Sequence, residues 1–394
     1  MSEINRGPEV IRKMAPFKVD GLAIPYPEFV PRLYNFCKEL GFRKGLMMPS
    51  RAFCSDENQG LPIILLTKHF GTFPFNHGRV GGIIAVDRHG PHAHHGEDLV
   101  IVQASHVGYD PDTGNYGQYR RPMMRDKCVS ASCGKLVHVI TPYLEQYYFA
   151  RERIFLHRDA EGRYLVTVKN SFIDFTGSPV KNGLVVRLQK MAKVDEEGRV
   201  VPLAALSAAQ IYEISDSFRR QLEARNFQWP PVGQEVTIGE NLTEDLFFYR
   251  KDFHETDDST LLERNLVKFM PNVVTSRTPP LRAAKVNIQL EFVRAVESIR
   301  RCEAYQGRNL LYVAGLNIDI SEYDHFPATN YFVPWAAYVQ LKGGTPPEYL
   351  HNIEQNQLFA KLMAQSIENP DQIDLKEEID RVMMAPRFDI RSPA

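Results

Sequence analysis

The stretch EDLVIVQASHVG, residues 97–108, is apolar at successive positions and rich in β-branched side chains. A run of that kind reads as a strand covered on both faces, as in the parallel core of an α/β sheet. It ends in His106 and Gly108, and open α/β sheets place their ligand sites at the carboxyl ends of strands. His106 is therefore either a satisfied core histidine or a group presented to a site.

The neighbouring sequence extends this sheet. LPIILLTKHFG (61–71) and VGGIIAVDRHG (80–90) have the same short apolar character and are expected as further buried strands. Before them, Phe29, Leu33, Phe36, Cys37 and Leu40 repeat near 3.6, which predicts a helix over 27–41 with Cys37 in the core. Residues 109–132 read as loop. A helix is expected from Cys133, with Leu136, Ile140, Leu144, Tyr147 and Tyr148 on its apolar face. RYLVTVKN and GLVVRLQKMAKV (183–194) read as strands, and DEEGR as the hairpin turn that follows. Helices are predicted at 207–225, 259–269 and 285–304, the last carrying Cys302. Strand character returns at 308–321 and 329–344, and helices at 352–367 and 373–384 close the chain. The fold class is α/β: a mixed sheet, largely parallel at its core, flanked by helices.

Composition excludes several functions. The 394 residues are 43% hydrophobic and 24% charged with a net charge of −1, so no bulk field draws nucleic acid or an anionic membrane. The charged N-terminal residues hold no secretory apolar region, and no apolar run reaches the roughly 20 residues of a membrane span. Five cysteines, at 37, 54, 128, 133 and 302, do not make a disulfide framework. The expectation is a cytoplasmic protein whose thiols stay reduced.

Seven of the twelve histidines fall between His69 and His106, in a window flanked by Cys54 and by Cys128 with Cys133. Clustered Cys and His in a reducing compartment point to metal. HGPHAHHGED (89–98) superficially matches the HxHxDH signature of two-zinc hydrolases, but Gly96 and Glu97 stand where that signature needs Asp and His. It reads as a polar loop whose imidazoles can relay protons. Cys133, in SASCGKL, opens a helix, where free N–H groups and the helix dipole favour a thiolate; Cys128 is the rival ligand. Cys54 is followed two residues later by Asp56. Two sulfurs and one imidazole leave a fourth tetrahedral position of Zn²⁺ for water, the pattern of a catalytic site. Asp56 is then placed to orient that water.

CSDE (54–57), ASHVGYD (104–110) and SCGK (132–135), in this order, resemble the limiting-CO2-inducible protein B family, the β-like or theta-class carbonic anhydrases. FNHGRVGGI and HHGEDLVIV resemble its Gly-rich and paired-histidine segments, and LLYVAGLNIDIS its closing strand. The resemblance covers roughly residues 28–342, with 150–300 matching only loosely. It implies a β-carbonic-anhydrase-like fold, a homodimer, and zinc held by Cys54, His106 and Cys133, with Asp56 oriented by an arginine. β-Class enzymes carry that arginine two residues after the aspartate, where this chain has Asn58. Arg51 and Arg88 are the candidates to replace it.

The function expected from these readings is zinc-dependent interconversion of CO2 and bicarbonate, with His94 or His95 passing the proton to buffer. The alternatives are a catalytically silent homologue that binds bicarbonate or a partner, and a zinc hydrolase acting on a larger amide or ester. The expected organisation is an arm over 1–20, a catalytic domain over 21–345 with a long insertion at about 150–300, and terminal helices over 346–394.

Overall fold

The computed structural model describes residues 16–85, 98–120, 129–169, 182–206, 208–253, 260–342 and 352–385. Residues 134–287 form one compact unit, and the segments before and after them form another.

The flanking segments build the larger sheet. Its strands and helices, in chain order, are β1 (Ile24–Pro25), α1 (Tyr26–Glu39), β2 (Met47–Ala52), α2 (Gly60–Phe70), β3 (Phe75–Asn76) and β4 (Asp98–Asp110). Helix α3 (Pro279–Arg301) begins within the other unit and runs on past residue 287, followed by β5 (Asn309–Ile320), β6 (Thr329–Gln340), α4 (Gln355–Met363) and α5 (Leu375–Met384). The sheet order is β1-β6-β5-β4-β2-β3. β4 runs parallel to both β5 and β2, and β2 parallel to β3, while β5–β6 and β6–β1 are antiparallel. The core is thus parallel with an antiparallel edge, as the run at 97–108 implies.

Side chains alternate across a strand. On one face of β4, Val100, Val102 and Ala104 join Leu311 and Val313 of β5 beneath Phe29, Leu33, Phe36 and Cys37 of α1. Phe29 stacks on Phe332 at 4.0 Å. Burying each such side chain stabilises the fold by about 1.5–3 kcal/mol, and His106 continues the same face at the carboxyl end. On the other face, Phe292 of α3 stacks on Tyr312 of β5 at 5.5 Å.

The expected strand at 61–71 is instead α2. A continuous apolar run fits a buried helix as well as a buried strand. Here Pro62 falls in the first turn, where its missing N–H costs nothing, and Gly71 ends the helix at φ 77°. Of the run at 80–90, only Ile83–Ile84 is extended, paired with Gly78–Arg79; residues 86–90 lie outside the described residues. The loop expected at 109–132 holds a small ladder, Gln118–Arg120 against Val129–Ala131.

In the other unit, helix Gly134–Arg153 precedes a five-stranded antiparallel sheet in the order 204–206, 209–213, 164–169, 154–158, 235–237. Gly183–Val186 pairs with Phe247–Arg250, and Leu188–Met191 is a short helix where a strand was expected. The helix expected at 207–225 shortens to Asp216–Ala224, because Ala204–Leu206 and Ala209–Glu213 form a hairpin. Ser215 sets the helix start by accepting a hydrogen bond from the Phe218 N–H. Among the described residues, no helix is long and apolar enough to cross a membrane.

Candidate metal centre

The carboxyl ends of the parallel strands carry the site. Cys54 follows β2, His106 lies near the end of β4, and Cys133 immediately precedes helix Gly134–Arg153. One ligand atom from each of Cys54, His106 and Cys133 lies within 4.8 Å of the others, and all three residues are buried. Two sulfurs on one tetrahedral zinc, each about 2.3 Å from it, stand about 3.8 Å apart. Cys54 Sγ and Cys133 Sγ are separated by 3.8 Å.

His106 shows which of its atoms is available. Its Nδ1 lies 2.7 Å from Asp319 Oδ2. A carboxylate only accepts, so Nδ1 carries the proton, and in the neutral ring Nε2 presents a lone pair. Nε2 is buried and makes no hydrogen bond among the described residues, a costly arrangement unless something else occupies that lone pair. An orphaned imidazole nitrogen beside two sulfurs can hold a metal ion, and this donor set suits zinc.

The electrostatics of the cluster without a metal follow from the same contacts. The hydrogen bond with Cys133, helped by His106 and the Gly81 N–H, outweighs burial and drives the Cys54 thiol far down, to the thiolate that binds metal. The same hydrogen bond, with burial, pushes Cys133 up. Burial alone would lower His106, but Asp319 and the two sulfurs outweigh it and raise it. Gly81 reaches Cys54 Sγ at 3.2 Å from a left-handed conformation, φ 81°. A Cβ at the adjacent Gly82 would meet the Ala104 carbonyl at 2.5 Å, so only glycine lets this turn lie against β4.

Asp56 Oδ2 stands 3.9 Å from His106 Nε2. Burial pushes its carboxyl up to about 6, opposed by His106 and by the Asn58 N–H. That N–H donates to Asp56 Oδ1 at 3.3 Å. Asn58 Nδ2 reaches Ser132 Oγ at 3.3 Å, and the Asn58 carbonyl accepts from Asn330 Nδ2 at 3.0 Å. A backbone N–H thus contacts Asp56 from the position where β-class enzymes have arginine. Arg51 is half-buried on β2, and among the described residues no arginine forms an ion pair with Asp56. Arg88, His94, His95 and Cys128 lie outside the described residues.

The chain is similar in structure to the limiting CO2-inducible protein LCIB. The superposition on LCIB covers 82% of this chain and 93% of that one, with 12% identity and a TM-score of 0.42. For PtLCIB4, a homolog of LCIB, the figures are 85%, 95%, 12% and 0.46. No protein-family model matches the chain, and no curated protein matches it in sequence.

Sequence reasoning missed the groups behind the three candidate ligands: Asp319, Gln59, Ser132, Asn317 and Asn330. A signal was present in LNIDI, where Asn317 and Asp319 occupy alternate positions of an otherwise apolar buried strand. Two polar residues on one face of such a strand require partners.

Proposed function

We propose that this chain is a zinc-dependent carbonic anhydrase of the limiting-CO2-inducible protein B family, interconverting CO2 and bicarbonate. The observation that carries the proposal is His106 Nε2, without a hydrogen-bond partner among the described residues, in a buried cluster with two sulfurs and with the Asp56 carboxylate 3.9 Å away.

Cys54, His106 and Cys133 would hold the ion, and three protein ligands leave one position of a tetrahedron open. When bound, zinc supplies a Lewis acid that brings the pKa of a coordinated water to about 7. The chain's own contribution is orientation. Asp56 Oδ1 is held by the Asn58 N–H, which leaves Oδ2 on the ligand side to accept a hydrogen bond from the attacking water and aim its lone pair. Release of the proton to buffer is assigned to His94 or His95. The expected homodimer, and the division into arm, catalytic domain and terminal helices, belong to the same proposal; light scattering and limited proteolysis test them.

One observation favours a second reading, a catalytically silent relative: no described arginine braces Asp56. Metal analysis combined with stopped-flow CO2 hydration across pH decides between them. The enzyme reading expects about one zinc per chain and hydration activity, with Cys54→Ser losing both. Zinc without activity selects the silent relative. A folded wild-type chain that takes up no zinc overturns both.

A further inference from the structure

Asp319 is the penultimate residue of β5 and is fully buried. Its two oxygens meet four donors. Oδ1 accepts from Gln59 Nε2 at 2.9 Å and Asn330 Nδ2 at 2.7 Å. Oδ2 accepts from His106 Nδ1 at 2.7 Å and Ser132 Oγ at 3.0 Å. Behind Gln59 the chain of bonds continues: Asn317 Nδ2 donates to Gln59 Oε1 at 2.6 Å, and Tyr26 Oη donates to Asn317 Oδ1 at 2.7 Å. A carboxylate has about four lone-pair sites, and here each is used.

Burying a carboxylate is costly unless its bonds are complete. The fold completes them with groups from four separate segments: the turn after β2, the end of β4, Ser132 and β6. Asp319 lies on the strand beside His106, whose register partner in β5 is Asn317. From that position it meets Nδ1 at 2.7 Å and leaves Nε2, which has no hydrogen-bond partner among the described residues. Its contact selects the tautomer: with the proton on Nδ1, Nε2 has a lone pair to offer. With the proton on Nε2, an N–H would point at the metal position instead.

We infer that Asp319 is the positioning residue of the metal centre, fixing the tautomer and ring orientation of His106 and itself held by Gln59, Asn330 and Ser132. The inference rests on the metal reading of the Cys54, His106, Cys133 cluster, but its test does not depend on turnover.

The substitution Asp319→Asn in the full chain keeps size and removes the carboxylate. The expected result is a zinc affinity about 10–100-fold weaker than wild type, measured by competition with a chromogenic chelator, with the far-ultraviolet dichroism retained. A second readout is the ¹⁵N pattern of the His106 ring without added metal. Nδ1–H predominates over Nε2–H in the neutral wild-type ring, and this preference is lost in the variant. Ser132→Ala, which removes one of the four donors, is expected to weaken zinc about 2–10-fold and serves if Asp319→Asn does not fold. Unchanged affinity in the folded variants, or an unchanged ring pattern in Asp319→Asn, overturns the inference. A wild-type chain with the expected ring pattern but no zinc uptake overturns the metal reading and leaves Asp319 as the partner of His106 alone.

Discussion

The two compact units treat buried polarity differently. In the unit of residues 134–287, the buried polar side chains among the described residues are Thr167 and Asn287. Each is met locally: Thr167 Oγ1 by His157 Nε2 at 2.8 Å, and Asn287 Oδ1 by Asn265 Nδ2 at 3.0 Å. The centre of this unit is aromatic, with Tyr147 stacked on Phe247 and Tyr143 edge-on to Tyr249. In the parallel-sheet unit, Gln59, His106, Ser132, Asn317, Asp319 and Asn330 are all buried, and their bonds converge on one carboxylate. An apolar core is the cheaper way to stabilise a fold, so a buried polar network marks a place where side-chain direction matters more than stability. The network leaves one of its atoms, His106 Nε2, without a hydrogen-bond partner among the described residues.

The largest effect expected from this contrast is that of acid. His77, in the sheet unit, is 1% exposed and neither ring nitrogen has a partner among the described residues. Burial lowers its pKa from 6.5 to about 3. Its neutral form is therefore native, and the unfolded chain binds a proton that the folded chain refuses. Stability from this group is complete above pH 6.5 and is lost progressively as pH falls toward 3. His157 is also lowered by burial, but Glu235 and Asp159 oppose the shift. Urea midpoints measured between pH 8 and pH 4 should fall less steeply on the acid side in His77→Phe, and change much less in His157→Phe. Equal flattening by the two substitutions would erase the distinction between the units.

Next in size is Asn317→Leu. It removes the donor to Gln59 Oε1 and the acceptor of Tyr26 Oη, both buried. Leaving two such groups without partners is expected to cost about 3 kcal/mol, read from the urea midpoint at constant slope. The same variant should bind zinc more weakly, because Gln59 also braces Asp319. A loss below about 1 kcal/mol would mean that water replaces the missing bonds and that the network is less rigid than its distances imply.

How much of this was legible in the sequence follows from where each constraint originates. The sheet was, since EDLVIVQASHVG and LLYVAGLNIDIS are short, apolar and rich in β-branched residues. Cys54, His106 and Cys133 were candidates, but each had a packing alternative and Cys128 was a rival, so the set came from the family resemblance; the structure brings the three together. The helix at 60–70 was not legible, since an apolar run has no period to distinguish buried helix from buried strand. Neither was the hairpin at 204–213, where tertiary pairing overrides a pattern compatible with a helix. The cradle of Asp319 was least visible. Asp319 and Gln59 lie 260 positions apart in the chain, and each is ordinary in its local context. Only strand register, with Asn317 opposite His106, places them together.

The smallest expected effect probes the antiparallel unit on its own terms. Thr167→Val keeps the β-branched shape in the middle of a paired strand and removes a single hydroxyl, whose partner is the half-buried His157. A partner that can turn toward water leaves no trapped donor, so the cost should be about 1 kcal/mol or less. Zinc affinity should be unchanged, in contrast to Asn317→Leu. The two variants together form the test: each deletes a buried polar side chain from a strand, but only one deletion is expected to reach the metal site. If Thr167→Val weakened zinc as much as Asn317→Leu, metal binding would follow general stability, and the directional role assigned to the polar network would fail.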